Sequence, residues 1–291
     1  MTRRRLFRIG GLLLVGLAIA MLFPQVRYSI PGWLRGDHRY RGLPTSYWSG
    51  AIRDWHKALV DWSKASSTPR LPLSPLLPRW LSMPGRTRPP SSPGVLGGGR
   101  ESIPVLIELL QDKDVLVRNA AAGPLASMGP MAREAVPVLR RVLADGAGPS
   151  DPQEDRFRVH AALALWGIER RAEPSVTVLV AILKEGSAAS PDALCGLAGM
   201  GPEAESAVPV LVDLLKTGSA DPSLTLHALR QIGPKAKAAV PTILELARAK
   251  GAGTPGSVSP DDLRGALQDI DPGAVAQLDP LSGRASAQRQ P

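Results

Sequence analysis

Apolar residues in the second half of the chain recur in a short phrase at a nearly constant spacing. Four of the five copies carry proline at the second position, which the first turn of a helix tolerates. Successive copies start 33, 40, 32 and 32 residues apart. This period predicts one supersecondary unit stacked on copies of itself, because no single unit can bury its own apolar face. The copies start at Ile103, Val136, Val176, Val208 and Val240.

Each period contains the pattern of two helices. In the first copy, Ile103, Leu106 and Leu110 lie on one face of a helix of about ten residues. A second segment, rich in Ala and Leu, follows each turn and ends in Gly-Pro in three copies. We expect these glycines to adopt the left-handed conformation that commonly ends a helix. They are Gly129, Gly201 and Gly233. The sequence therefore predicts an all-α fold.

The repeated region resembles the HEAT repeat family, including the HEAT-like repeats of the phycobilin lyase type. In the best-matching repeat, Asp112 or Asp114 is followed by Val117-Arg118 and Ala121. The resemblance implies a right-handed α-solenoid of about five helical hairpins, preceded here by an N-terminal hydrophobic helix and a Pro-rich linker. The resemblance does not determine the function of the protein, since HEAT proteins serve unrelated functions. The expected repeats, which together cover residues 101–273, are 101–135, 136–175, 176–207, 208–239 and 240–273.

The N-terminus has the composition of an export signal. Residues 1–8 contain four arginines and are expected to stay in the cytoplasm, and residues 9–26 are uncharged. We favour a retained signal anchor, which predicts a single-pass membrane protein whose repeat domain is extracytoplasmic. A signal peptide cleaved near Ala20, giving a secreted or periplasmic protein, is the main alternative, because 18 residues are near the lower limit for a span. A buried helix of a soluble protein is the third interpretation.

Residues 27–65 combine a juxtamembrane segment with an amphipathic helix. Trp48, Trp55 and Trp62 recur on one face of that helix. We favour packing of this face over the open end of the first repeat; binding to a membrane interface, a cell wall or a sugar is the alternative. The phrase from Tyr40 to Trp48 resembles the segment that precedes HEAT arrays in many exported or membrane-anchored bacterial proteins, particularly planctomycete-like ones.

Two segments lack the composition of a folded element. Residues 66–100 are rich in Pro, Ser and Gly, and they predict a semi-extended, mobile linker. Residues 274–291 are expected to form a disordered tail.

The positive charge of the chain lies outside the repeats. The formal net charge is +9, but residues 1–100 contain 16 Lys and Arg against 3 Asp and Glu, whereas residues 101–291 contain 19 against 23. A helical array that grips nucleic acid is expected to carry its positive charge on the helices of the groove. The distribution therefore argues against nucleic acid as a partner.

The chain shows little sign of catalytic or metal chemistry. Its one cysteine, Cys195, cannot form an internal disulfide, and its apolar neighbours predict a buried packing role. The four histidines fall in separate segments without ligand spacing. We therefore expect no metal, no cofactor and no enzymatic activity.

The candidate interaction surface lies on the second helices. Arg118, Asn119, Arg158 and His160 can line a ligand groove there, and in the resembled family the matching arginine often bonds between adjacent repeats, which is a structural role. We expect a membrane-tethered scaffold or adaptor that binds an unidentified protein. The alternatives are an enzyme-assembly factor similar to the phycobilin lyases, and cell-wall or carbohydrate binding through the tryptophan helix.

Overall fold

The computed structural model describes residues 32–67, 91–145, 151–249 and 258–277. These residues are predominantly helical, and their two strands are each two residues long, which confirms the all-α class. The chain divides into two compact units, Met1–Ala135 and Val136–Pro291. The predicted hydrophobic segment at residues 9–26 lies outside the described residues.

The described residues of the first unit form a short helical segment at 32–35, a β-hairpin, a long helix and one helix pair. Strands β1 and β2 pair antiparallel, with Arg39 opposite Pro44 and Tyr40 opposite Leu43. The elements are β1 (Arg39–Tyr40), β2 (Leu43–Pro44), α1 (Thr45–Ser67), two 3₁₀ turns (Gly94–Gly97 and Gly99–Ser102), α2 (Ile103–Leu109), α3 (Val115–Met128) and a further 3₁₀ segment (Gly129–Ala135).

The tryptophan-striped helix α1 packs against α2 and α3. Trp48 and Ile52 are buried, while Trp55 and Trp62 are half-buried. The indole Nε1 of Trp48 donates to the carbonyl of Leu43 at 3.2 Å. The N-terminal half of α1 therefore packs against the first helix pair, and its capping role stays a prediction.

The end of the expected linker is folded. Residues 68–90 lie outside the described residues, but the turn Gly94–Gly97 contacts α2 and α3. Its Val95 is completely buried. The mobile-linker prediction is therefore wrong for residues 94–100, because the two apolar residues between Gly94 and Gly97 are too few to show a period that reveals burial.

The described residues of the second unit form four helix pairs, so each of the five expected repeats corresponds to one pair. The elements are α4 (Val136–Asp145), α5 (Pro152–Glu169), α6 (Ala172–Glu185), α7 (Ser190–Met200), a 3₁₀ segment (Gly201–Ala207), α8 (Val208–Thr217), α9 (Pro222–Ile232), a 3₁₀ segment (Gly233–Ala239), α10 (Val240–Ala249), α11 (Pro260–Ile270) and α12 (Pro272–Val275).

Two expected boundaries are displaced. Helix α6 begins at Ala172, so the boundary between residues 175 and 176 falls inside a helix, because this repeat lacks the preceding Gly-Pro. The expected tail at 274–291 begins too early, since Ala274 is buried on α12. Residues 278–291 lie outside the described part of the chain.

The second helices of this unit form a continuous layer. Helices α5, α7, α9 and α11 contact one another in that order, and each also packs against the first helix of its own pair. The first helices α6, α8 and α10 contact the 3₁₀ segments. One cluster of buried apolar side chains runs from Val159 on α5 to Ala274 on α12, so each pair shares its core with its neighbours.

Three Gly-Pro turns repeat the same backbone. We use this name for Gly129–Ala135, Gly201–Ala207 and Gly233–Ala239. Their glycines have φ/ψ of 56/−136°, 59/−134° and 69/−138°. The positive φ agrees with the expectation, but the ψ values place the glycines in an extended region rather than in the left-handed helical one. Non-glycine residues rarely occupy that region.

Replacing Gly201 with Ala is expected to lower the free energy of unfolding by about 1–3 kcal/mol, because the new Cβ would sit at a positive φ and 3.4 Å from the carbonyl oxygen of Gln231. The matched control is Gly199→Ala on α7, where a Cβ meets nothing within 4 Å. We expect the control to gain about 0.5–1 kcal/mol in urea denaturation. Equal effects at the two positions would contradict the assigned turn.

Candidate functional site

The four predicted surface residues are distributed over both units. Arg118 and Asn119 lie half-buried on α3 in the first unit. Arg158 and His160 lie on α5 in the second. The side chain of Arg118 donates through Nη1 to the carbonyl oxygen of Asp112 at 2.7 Å, which joins α3 to the end of the α2–α3 turn. This bond lies within one helix pair.

Arg158 belongs to a buried polar network between two helix pairs. Its Nη1 lies 3.1 Å from Asp155 Oδ1 and 3.5 Å from Glu185 Oε2. The other carboxylate oxygen of Asp155 accepts a hydrogen bond from Ser187 Oγ at 2.6 Å. Arg158 is 7 % exposed and Asp155 is 2 % exposed. These contacts join the α4–α5 pair to the α6–α7 pair through Arg158 and Asp155.

His160 lies at the junction of α5 and α7. It is half-buried near Asp192 and Arg156, and the last two form an ion pair with Nε and Oδ2 2.8 Å apart. Burial lowers the pKa of His160 below its usual 6.5; the nearby Asp192 raises that pKa and Arg156 lowers it. The ring is therefore neutral at physiological pH.

The midpoint of the His160 titration is expected to rise in an Arg156→Ala variant and to fall in Asp192→Asn, as followed by NMR of the ring protons. Because the folded pKa is lowered, the neutral ring's contribution to stability is complete above pH 6.5 and is lost as pH falls towards the folded value. A His160→Gln protein should lack this part of the pH dependence. A midpoint that is identical in all three histidine-containing proteins would contradict the assigned neighbours.

Side chains on the second helices are fixed to one another by polar contacts. Besides the pair between α5 and α7, Arg230 Nε on α9 lies 2.7 Å from Asp269 Oδ2 on α11. In addition, the indole of Trp166 on α5 donates to Glu203 in the Gly-Pro turn Gly201–Ala207 at 2.7 Å. These contacts connect successive pairs along the layer, so its outer surface presents polar groups in defined positions.

Cys195 lies on this surface and is exposed, so the predicted buried role is wrong. Its neighbours Leu194 and Leu197 are buried, but residues at i±1 and i+2 do not face the same direction on a helix. His227, on the adjacent helix α9, is exposed as well.

A polar depression of about 550 Å³ lies in the first unit. Its charged residues carry three positive and three negative groups; they are Arg35, Asp37, Arg53, Glu108, Asp112 and Lys113. The depression is therefore formally neutral.

Two carboxylates of this depression hold α1 and the segment before it against α2 and the turn that follows. Both oxygens of Glu108 accept from the backbone N–H of His38 at 3.1 Å, and they also contact His38 Nδ1 and Thr45 Oγ1. Asp112 Oδ2 accepts from Ser49 Oγ at 2.6 Å, and Ser49 Oγ accepts from Arg53 Nη2 at 2.7 Å. The carboxylates thus contribute to the packing of this unit.

Within the described residues, no group of three or more His, Cys, Asp and Glu side chains is placed to hold a metal ion. No helix among these residues combines the length and apolarity that crossing a bilayer requires.

Comparisons of the chain with protein-family models, with curated proteins and with solved structures find no match. The HEAT resemblance therefore remains a prediction from the sequence, and the helix pairs are the structural basis on which a function is proposed.

Proposed function

We propose that the chain is a non-catalytic, membrane-tethered protein whose helix pairs form HEAT-like repeats of a right-handed α-solenoid. Its role is to bind a protein partner on the extracytoplasmic side as a scaffold or adaptor. The observation that carries this proposal is the continuous layer of α5, α7, α9 and α11. Four helices that contact one another in succession offer an extended surface of the kind that repeat proteins use for binding.

The outer side of this layer is suited to a folded or extended polypeptide. Its polar groups are held by contacts between neighbouring helices, as in the pairs Arg156–Asp192 and Arg230–Asp269. Binding there orders few additional side chains, which reduces the entropic cost of association. Exposed charges such as these contribute to specificity, so we expect the partner to be selected by its pattern of charges more than by the apolar area it buries.

The tryptophan helix supports packing rather than sugar binding. Trp48 is buried, and its ring lies 5.6 Å from Tyr40 and 5.2 Å from Tyr47 between centroids. A sugar stacks on an open aromatic face, which Trp48 does not offer. At Trp48 the carbohydrate alternative therefore has less support than the packing of α1, whereas Trp55 and Trp62 are half-buried.

Site-specific photocrosslinking of the full chain in its own membrane tests the proposal. A photoreactive phenylalanine analogue replaces Cys195 on α7 or His227 on α9, both exposed on second helices. The matched control replaces Asp213, which is exposed on the first helix α8.

We expect adducts with the same protein from positions 195 and 227 and none from position 213. Absence of adducts at both test positions, or equal labelling from position 213, would overturn the second-helix layer as the binding surface.

A further inference from the structure

Two neighbouring apolar side chains near the beginning of the described chain are exposed to solvent. Trp33 is 69 % exposed and Leu34 is 73 % exposed, within a helical segment at residues 32–35. The other large apolar side chains with high exposure in the described residues are Val60 and Met131, each isolated in the sequence. Adjacent exposed Trp and Leu side chains are costly in water, and they indicate a surface that another phase or molecule covers.

The exposed pair is held by packed neighbours. Gly32 is buried, and a Cβ at that position would lie 2.5 Å from Pro44 Cβ. The carbonyl oxygen of Gly32 accepts from the N–H of Asp37 at 2.9 Å. Trp33 and Leu34 therefore project from a backbone that is packed against the β-hairpin.

Cationic side chains follow the apolar pair directly. Arg35, Arg39 and Arg41 are exposed, and Asp37 is the one acidic residue between positions 33 and 41. Arg41 occupies the hairpin turn with φ of 51°, and Gly42 follows with φ of 76°. Such a turn favours Asn or Gly at its first central position, so Arg41 adopts this conformation at some energetic cost.

The predicted membrane anchor ends close to this patch. Only residues 27–32 separate Val26 from Trp33, and seven residue steps reach at most about 25 Å. A chain anchored through residues 9–26 therefore keeps Trp33 within reach of the headgroups of the same bilayer. Trp is enriched at that interface because its ring is apolar and its N–H is polar.

We propose that Trp33 and Leu34 insert into the interfacial region of an anionic bilayer, while Arg35, Arg39 and Arg41 contact its phosphate groups. This inference rests on the proposed membrane tether. The contact positions the first unit on the membrane, beyond the tethering that the anchor itself provides. Cationic residues next to an inserted aromatic ring are attracted to anionic headgroups over about one Debye length.

The test uses the full chain reconstituted in vesicles of phosphatidylcholine and phosphatidylglycerol. Cys195 is replaced with Ser, and a single cysteine at position 33 carries an environment-sensitive fluorophore. Matched chains carry the label at position 60 or 131, which are exposed apolar positions of the same unit. Vesicle flotation reports tethering, and quenching by a lipid with a nitroxide near its headgroup reports insertion.

We expect the label at position 33 to shift its emission to shorter wavelength and to lose intensity with the nitroxide lipid, while the labels at 60 and 131 keep the emission seen in buffer. In Arg41→Asn the shift should decrease with phosphatidylglycerol present, whereas Lys57→Asn, which removes an exposed charge on α1, should leave it unchanged.

Each failure has a distinct meaning. Chains that float while the label at 33 behaves like the label at 131 would overturn the contact and leave the tether intact. Chains that do not float would overturn both. An emission shift of the same size in vesicles of pure phosphatidylcholine would show that anionic lipid is not required. A shift that occurs only after a protein is added would show that a protein, and not the bilayer, covers the patch. Either result would overturn the proposal.

Discussion

Replacing Arg158 with Ala is expected to lower the free energy of unfolding of the second unit by about 3–5 kcal/mol. The reason is that Asp155 is 2 % exposed and would keep a carboxylate in the interior without its cationic partner. Glu185, which belongs to the next helix pair, would also lose its contact with Arg158, whereas Ser187 would keep its hydrogen bond to Asp155. Urea denaturation followed by circular dichroism at neutral pH measures the effect.

The matched control is Arg156→Ala on the same helix. Its ion pair with Asp192 is largely open to solvent, with side chains 45 % and 39 % exposed, so the expected cost is within about 1 kcal/mol. The double variant Asp155→Asn, Arg158→Met should be less destabilised than Arg158→Ala, because it removes the buried charge together with its partner. If Arg156→Ala and Arg158→Ala lower the free energy of unfolding by similar amounts, burial does not determine how much the Arg158 network contributes to stability.

Replacing Leu211 with Asp is expected to cost more than about 4 kcal/mol, since the change removes a fully buried side chain and introduces a buried charge. Leu211 lies on α8 in the cluster shared by several pairs, so the damage should extend to neighbouring helices. Hydrogen exchange should show lost protection in α8, in α9 and in the turn Gly201–Ala207, all of which contact one another.

Asp213→Ala is the control, because this exposed residue lies on the same helix and its replacement should change stability by no more than about 0.5 kcal/mol. Unchanged cooperative unfolding in the Leu211→Asp protein would contradict the assigned register of the repeats.

The helix pairs were predictable because the residues that define each helix are close together in the sequence. Proline at the second position of α8, at Pro209, and the apolar spacing after it define the start and face of that helix. The same signals weaken where α6 begins, since Thr177 replaces the proline of the repeated phrase and no Gly-Pro precedes it. The helix then starts at Ala172, and the repeat boundary cannot be located from the phrase.

The polar contacts were not predictable because their partners are distant in sequence. His38 and Glu108 are 70 positions apart, and Ser49 and Asp112 are 63 apart. No periodicity relates such residues, so only the packing of α1 against the first pair brings them together. The sequence indicated Arg158 itself as a candidate residue. It did not identify Asp155 as the partner of Arg158, or Ser187 as the partner of Asp155.

The Gly-Pro turns affect how the number of helix pairs can change during evolution. Gly201 and Gly233 have nearly the same dihedral angles, and each approaches a backbone carbonyl near the end of the following second helix, that of Gln231 or Asp269. The intervening segment of 32 residues therefore begins and ends in the same backbone conformation. Duplicating or deleting it would recreate an identical junction on both sides, so this part of the gene can gain or lose a complete unit without a new turn having to evolve.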